Sequence, residues 1–106
     1  MLLVREIMYC KPGKVKPMVE KFLAMNKLGV KLGMPPMKVM TDLCAERYWT
    51  IVAEMEVADL KTFEEMFSDQ AQGQDPETTK QYEEVMKGYH DLIVKGRREI
   101  YRIEGA

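Results

Sequence analysis

Cysteine, histidine and tryptophan are scarce in this sequence: two Cys, one His and one Trp among 106 residues. Cys10 and Cys44 form no CxxC pair and lie near no histidine cluster, which excludes a disulfide-stapled fold and a zinc site. They read as two small core hydrophobes. Long apolar runs are missing as well. Stretches such as Leu2-Leu3-Val4 fall far short of the roughly 20 residues a helix needs to cross a bilayer, so no membrane partner is expected. Arg5 and Glu6 interrupt the layout of a signal peptide at once, and the expected setting is the cytoplasm. No phosphate loop is present, because Gly29 and Gly33 fall near the end of a predicted helix and not between a strand and a helix start. Nucleophile motifs of the Gly-x-Ser-x-Gly or Cys–His type are also lacking.

What is there describes one globular domain spanning residues 1–106. Hydrophobic residues make up 46% and charged residues 31%, which excludes a disordered tail or a collagen-like repeat. A chain this short buries only about two-thirds of its unfolded surface, so cover from a partner chain would help. The net charge of −1 hides an asymmetry: residues 1–50 carry nine Lys/Arg and four Asp/Glu, residues 51–106 seven and thirteen. In a single domain the two halves must pack together, and the opposite charges read as complementary surfaces. With Phe22 assigned to an apolar helix face, the Lys11–Lys38 cluster offers no stacking platform, and nucleic-acid binding is not expected.

Leu2–Cys10 contains apolar and β-favouring residues without a turn residue, then meets Lys11-Pro12-Gly13-Lys14, the pattern of a strand closed by a turn. Apolar residues at 15, 18, 19, 22, 25 and 32 follow helical spacing, with Pro17 in the first turn and Gly33 at the exit. Met34-Pro35-Pro36 blocks continuation. Short strands are expected over Met37–Cys44 and Tyr48–Val57, the second alternating cleanly: Trp49, Ile51, Ala53, Met55 and Val57 against Thr50, Val52, Glu54 and Glu56. Asp59 caps a second helix carrying Leu60, Phe63, Met66 and Phe67. The polar stretch Gln70–Gln74, with Gly73, breaks it. Asp75-Pro76-Glu77 opens a third helix through Tyr82, Val85, Met86, Tyr89 and Ile93, ended by Gly96 before a last strand Arg97–Glu104. This order is the α+β, ferredoxin-like βαββαβ plan: one four-stranded antiparallel sheet with helices on one face. Both parities of the first strand are largely apolar, Leu3, Ile7 and Tyr9 on one and Leu2, Val4, Met8 and Cys10 on the other. Burial on both faces follows, and the missing cover is most simply a second copy of the chain.

The strand Val4–Cys10 running into Lys11-Pro12-Gly13-Lys14, the third strand Tyr48–Val57, and Asp75-Pro76-Glu77 leading through Tyr82 into Arg97–Ile103 resemble the dimeric α/β barrel superfamily, and within it the NIPSNAP-like proteins. The resemblance covers nearly the whole chain. It implies a homodimer whose sheets face one another across a closed barrel, with room inside for a small hydrophobic ligand. Superfamily members include cofactor-free monooxygenases, haem-degrading monooxygenases, lactone isomerases and proteins without known activity, and fold alone does not choose among them. The haem-degrading pattern calls for an Asn on the first strand with a Trp and a His, and Leu2–Cys10 holds no Asn. Trp49, on the apolar parity, reads as core. No cofactor, haem or metal is expected.

Candidate chemistry rests on few residues. Glu54 and Glu56 share the face opposite Ile51. If that face lines the barrel, Glu54 is a candidate general base, since burial raises a carboxylate's pKa, with Arg5 or Arg102 as orienting cation. The alternative is structural: Arg5, Arg98 and Arg102 neutralise the carboxylates in ion pairs that fix subunit register. The candidate ligand-binding set is Arg5, Tyr9, Val52, Glu56 and Arg102. His90, the sole imidazole, is a weak catalytic candidate and equally a solvated helix-end residue. Ten methionines are a heavy load; they suit either a mobile apolar binding surface or ordinary core filling. Two functions remain: a dimer that binds a small hydrophobic molecule, or a cofactor-free enzyme of monooxygenase or isomerase type.

Overall fold

The structure, a computed structural model, describes residues 1–66 and 76–105. Among these, four strands form one antiparallel sheet: β1 (Leu2–Cys10), β2 (Lys38–Thr41), β3 (Thr50–Val57) and β4 (Ile93–Arg102), in the order β2-β3-β1-β4. Three α-helices accompany it: α1 (Val15–Lys31), α2 (Leu60–Met66) and α3 (Pro76–Met86). The expected α+β, ferredoxin-like βαββαβ plan is what is found. Phe67, the break over Gln70–Gln74 and the Asp75 cap lie outside the described residues.

The even parity of β1 faces the helices. Met18 and Phe22 of α1 pack with Cys10, Ile51 and Ala53, with Met8 and Val39 against them. Phe63 of α2 joins Val4, Met55 and Val57 in a second cluster. The opposite face of the sheet carries no described helix and presents Leu3, Arg5, Ile7 and Tyr9 of β1 beside Val52 and Glu54 of β3.

Local chemistry sets the element ends. Gly13 takes φ +76° in the turn before α1, and the Lys14 amide donates to the Lys11 carbonyl at 3.0 Å. At the other end Gly33 adopts φ +83°, with Gly33 N–H on the Val30 carbonyl (3.0 Å) and Met34 N–H on that of Gly29 (2.9 Å). This is a Schellman closure, which needs a residue free of Cβ strain where Gly33 stands. Asp59 caps α2 as expected, its Oδ1 accepting the Thr62 amide at 2.8 Å. That bond holds the Asp59 carboxyl below its ordinary range.

Several expectations are corrected. The third helix does not run to Ile93. It stops at Met86, because Gly88 turns left-handed (φ +80°) and Lys21 Nζ of α1 donates to the Val85 and Lys87 carbonyls at 2.8 Å each, satisfying the helix end. His90 therefore lies exposed in a separate 3₁₀ turn, Tyr89–Asp91, its ring 3.9 Å from that of Tyr89. Gly96 is not a helix stop but sits inside β4, opposite Met8, where a Cβ would run into the Met8 sulfur. Trp49 is not a core residue. It has φ +60° and is 43% exposed, since β3 starts only at Thr50, anchored by its amide on Asp42 Oδ1 (2.8 Å) and its hydroxyl on the Arg47 carbonyl (2.7 Å). Cys10 is buried as read, but Cys44 is exposed in the β2–β3 connection. Burial, and secondarily Asp42, pushes the Cys10 thiol pKa up, which keeps it an inert hydrophobe.

Candidate functional site

The helix-free face gathers most of the residues singled out in the sequence. Arg5 Nε lies 2.8 Å from Glu54 Oε2 and Arg5 Nη1 lies 3.5 Å from Glu99 Oε1. The close Nε–Glu54 approach is an ion pair without hydrogen-bond alignment, so the buried Nε–H has no acceptor among the described residues. Arg97 Nε meets Glu99 Oε2 at 3.1 Å, and Tyr101 donates its hydroxyl to Glu99 Oε1 at 3.1 Å. The Arg97 bond is the main reason that the Glu99 carboxyl sits below its ordinary range. Tyr9 is nearly buried on this face: the Arg47 guanidinium stacks 4.6 Å from its ring centre, and Arg97 donates to its hydroxyl. Val52 is half-buried and Glu56 is exposed.

Arg102 does not join them. It is registered with Leu2 of β1, on the helix-bearing parity, and so cannot orient a ligand beside Glu54. Arg98 shares that parity and pairs with Glu6, its neighbour in register. Only Arg5, of the three strand arginines considered, reaches Glu54. His90 stands apart from Glu54, in the turn that leads into β4.

Two of the depressions formed by the described residues bear on function. One, of about 630 Å³, opens at the β2–β3 side of the sheet and is bordered by the charged Lys38, Glu54 and Glu56 with Leu3, Pro35 and Pro36. The other, of about 530 Å³, lies between the helix-bearing face of the sheet and helices α1 and α3. Six of the ten methionines line it: Met8, Met25, Met34, Met37, Met55 and Met86. The polar part of this wall comes from Glu6, Asn26, Thr79, Tyr82, Glu83 and Arg98. Asn26 Oδ1 accepts the Met37 amide at 2.8 Å and thereby ties the Pro35-Pro36 segment across one end. The Tyr82 hydroxyl reaches Met34 Sδ at 3.8 Å, a weak bond that a ligand acceptor would readily replace. Burial pushes the Tyr82 pKa up, so the phenol stays a neutral donor. The Glu6–Arg98 pair completes the polar inventory on the sheet side, with the Arg98 guanidinium 5.0 Å from the Phe63 ring.

Room for this cleft depends on Gly29. A Cβ there would lie 3.4 Å from Tyr82 Oη and 3.5 Å from Met34 Sδ, and any larger side chain would extend into the space. Sequence reasoning did not assemble the group. The signals were present singly: an acid, Glu6, on the parity of Val4 and Met8, and a glycine, Gly29, in the last turn of an amphipathic helix. An apolar chamber of this size with a few convergent polar groups is the usual form of a small-molecule site. Among the described residues no group of three or more His, Cys, Asp or Glu could hold a metal ion, and no helix is long and apolar enough to cross a membrane.

No protein-family description and no curated protein sequence matches the chain. Solved structures do. A NIPSNAP domain protein from Burkholderia xenovorans superposes with a TM-score of 0.73 at 12% identity, over 97% of this chain and 94% of that one. A NIPSNAP family protein from Agrobacterium tumefaciens gives 0.68 at 16% identity, covering 96% and 92%. A dimeric protein of unknown function with a ferredoxin-like fold, from Bacteroides fragilis, gives 0.53 at 12% identity and 96% coverage of both chains. At these identities the likeness establishes the fold, which is that of NIPSNAP-domain and ferredoxin-like proteins.

Proposed function

We propose that this protein is a NIPSNAP-like homodimer that binds one small, largely apolar molecule per chain in the methionine-lined cleft between the sheet and helices α1 and α3. The observation that carries this reading is the convergence of six methionines on one chamber of about 530 Å³, with the neutral Tyr82 phenol among them. Thioether side chains adapt to irregular apolar shapes, and a few polar groups such as the Tyr82 hydroxyl fix orientation. The chamber suits a two- or three-ring molecule bearing a phenol or carbonyl oxygen. Its location differs from the barrel interior expected from the sequence, and the pairing of Glu54 with Arg5 on the far side of the sheet favours binding over catalysis by Glu54. The free thiols Cys10 and Cys44 suit a cytoplasmic setting. The dimer is formed through the helix-free sheet face, in line with the dimeric ferredoxin-like neighbour.

Calorimetric titration with 2-naphthol and related bicyclic ketones tests the reading. Saturable binding near one molecule per chain with a negative heat-capacity change is expected. Linear, non-saturating heats across the whole set would contradict it.

A further inference from the structure

Among the described residues, three cations converge on one aromatic ring near the end of β1. The Arg47 guanidinium stands 4.6 Å from the centre of the Tyr9 ring, that of Arg97 5.7 Å and the Lys95 ammonium 5.8 Å. Tyr9 is buried and forms a shared floor, while all three cationic residues are exposed. Paired strands hold this arrangement. Tyr9 is registered with Thr50 of β3 on one side and with Lys95 of β4 on the other. The hydroxyl of buried Thr50 donates to the Arg47 carbonyl at 2.7 Å, so the residue beside Tyr9 also fixes the one placed over its ring. Between Arg47 and Thr50, Trp49 holds φ +60°, the one positive φ outside glycine among the described residues. Such a conformation costs on the order of 1–3 kcal/mol, and strain of this kind clusters at ligand sites.

Like charges gathered this closely repel, and the chain answers only part of the charge. Glu99 meets Arg97 at 3.1 Å and is shared with Arg5. Asp42 accepts the Thr50 amide. Neither Arg47 nor Lys95 has a carboxylate within 4 Å among the described residues. Two positive charges are thus left over a buried aromatic floor. A phosphate monoester carries about −1.5 to −2 at neutral pH, and a guanidinium fork matches its oxygens in pairs. A carboxylate carries a single charge and leaves one cation unanswered. We propose that Arg47, Lys95 and Arg97 form a binding site for a phosphate group, free or as a monoester, whose dianion matches the two unanswered charges. Arg47 offers a two-pronged contact and Lys95 a point charge. Arg97, which donates to the Tyr9 hydroxyl and pairs with Glu99, closes the third side. The site is distinct from the methionine-lined cleft, since Tyr9, Lys95 and Arg97 share the helix-free face. It lies at the end of the sheet, beside the β2–β3 connection, and so at the rim of the dimer proposed above.

Trp49 is the sole tryptophan and lies two residues from Arg47, so its fluorescence reports on the site. Titrating the whole chain with inorganic phosphate and with phenyl phosphate at fixed ionic strength should give saturable changes, with dissociation constants of about 1 mM or below. Phosphorus-31 line widths follow the same titrations independently of the tryptophan. Benzoate, with a similar ring and one charge, should bind at least about tenfold more weakly than phenyl phosphate. Inorganic phosphate binding as tightly as phenyl phosphate supports the site with the free anion as its ligand; tighter binding of phenyl phosphate supports it with the ester. Arg47→Gln and Lys95→Gln, both at exposed positions, should each weaken phosphate binding about tenfold, and the double variant about a hundredfold, with melting temperatures near that of wild type. Lys61→Gln on α2 removes the same charge elsewhere and should leave the affinity unchanged. No saturation by about 10 mM phosphate, benzoate bound as tightly as phenyl phosphate, or a double variant weakened no more than Lys61→Gln would overturn the proposal.

Discussion

Replacing Ile51 with alanine is expected to lower the unfolding free energy by about 2–5 kcal/mol, the usual cost of deleting a buried aliphatic side chain. Ile51 is fully shielded from solvent and lies near the middle of the sheet, registered with Met8 on one side and Thr41 on the other, under Met18 and Phe22 of α1. None of these neighbours is placed to fill the void without leaving its own contacts. A domain of this size has roughly 5–15 kcal/mol in total, so the variant should unfold at a markedly lower urea midpoint with an unchanged slope. A loss below about 1 kcal/mol would mean that the helix-bearing core is not organised around β3 as described.

Introducing leucine at Gly29 is expected to remove ligand binding while the fold survives. The first added carbon meets only ordinary van der Waals contacts, at 3.4 Å from Tyr82 Oη and 3.5 Å from Met34 Sδ, and Gly29 has no positive φ that would penalise a side chain. Gly29 lies in the last turn of α1, where replacing glycine favours the folded state by less than the roughly 0.5–1 kcal/mol of a helix interior and offsets a small part of any crowding. The remaining leucine carbons must occupy the cleft. Affinity for 2-naphthol should therefore fall by a hundredfold or so, a loss of roughly 3 kcal/mol, with a melting temperature near that of wild type. Equal affinity in wild type and Gly29→Leu would place the ligand elsewhere.

The parts of this fold that sequence made legible are those where side-chain period and turn chemistry agree. The alternation from Ile51 to Val57, the three-and-four spacing from Val15 to Phe22, the Gly33 exit and the Asp59 cap are local signals, and each appears where the pattern puts it. Errors arose where one residue type serves two purposes. Gly96 reads as a helix terminator, yet it is required in β4 because Met8 occupies the space above it, a contact between residues far apart in sequence. Gly88 and the Lys21 ammonium end α3 instead, and the Lys21 bonds cannot be read from helical spacing. Arg102 was grouped with Arg5 because both are strand arginines, but the face that Arg102 occupies depends on the register of β4 against β1, which sets it opposite Leu2. The candidate cleft was least legible. Its methionines come from β1, α1, the α1–β2 connection, β3 and α3, one or two from each, and along the chain they look like ordinary core filling.

The methionines also provide the most direct measurement. Labelling every methionine methyl with carbon-13 gives ten reporters, six on the cleft and four away from it at Met1, Met18, Met40 and Met66. Addition of 2-naphthol is expected to shift the methyl resonances of Met8, Met25, Met34, Met37, Met55 and Met86 together, along one saturation curve, while Met1 and Met40 stay in place. Shifts centred on Met40, on the helix-free face, with the six cleft methyls unmoved would contradict the account and return the ligand to the barrel interior.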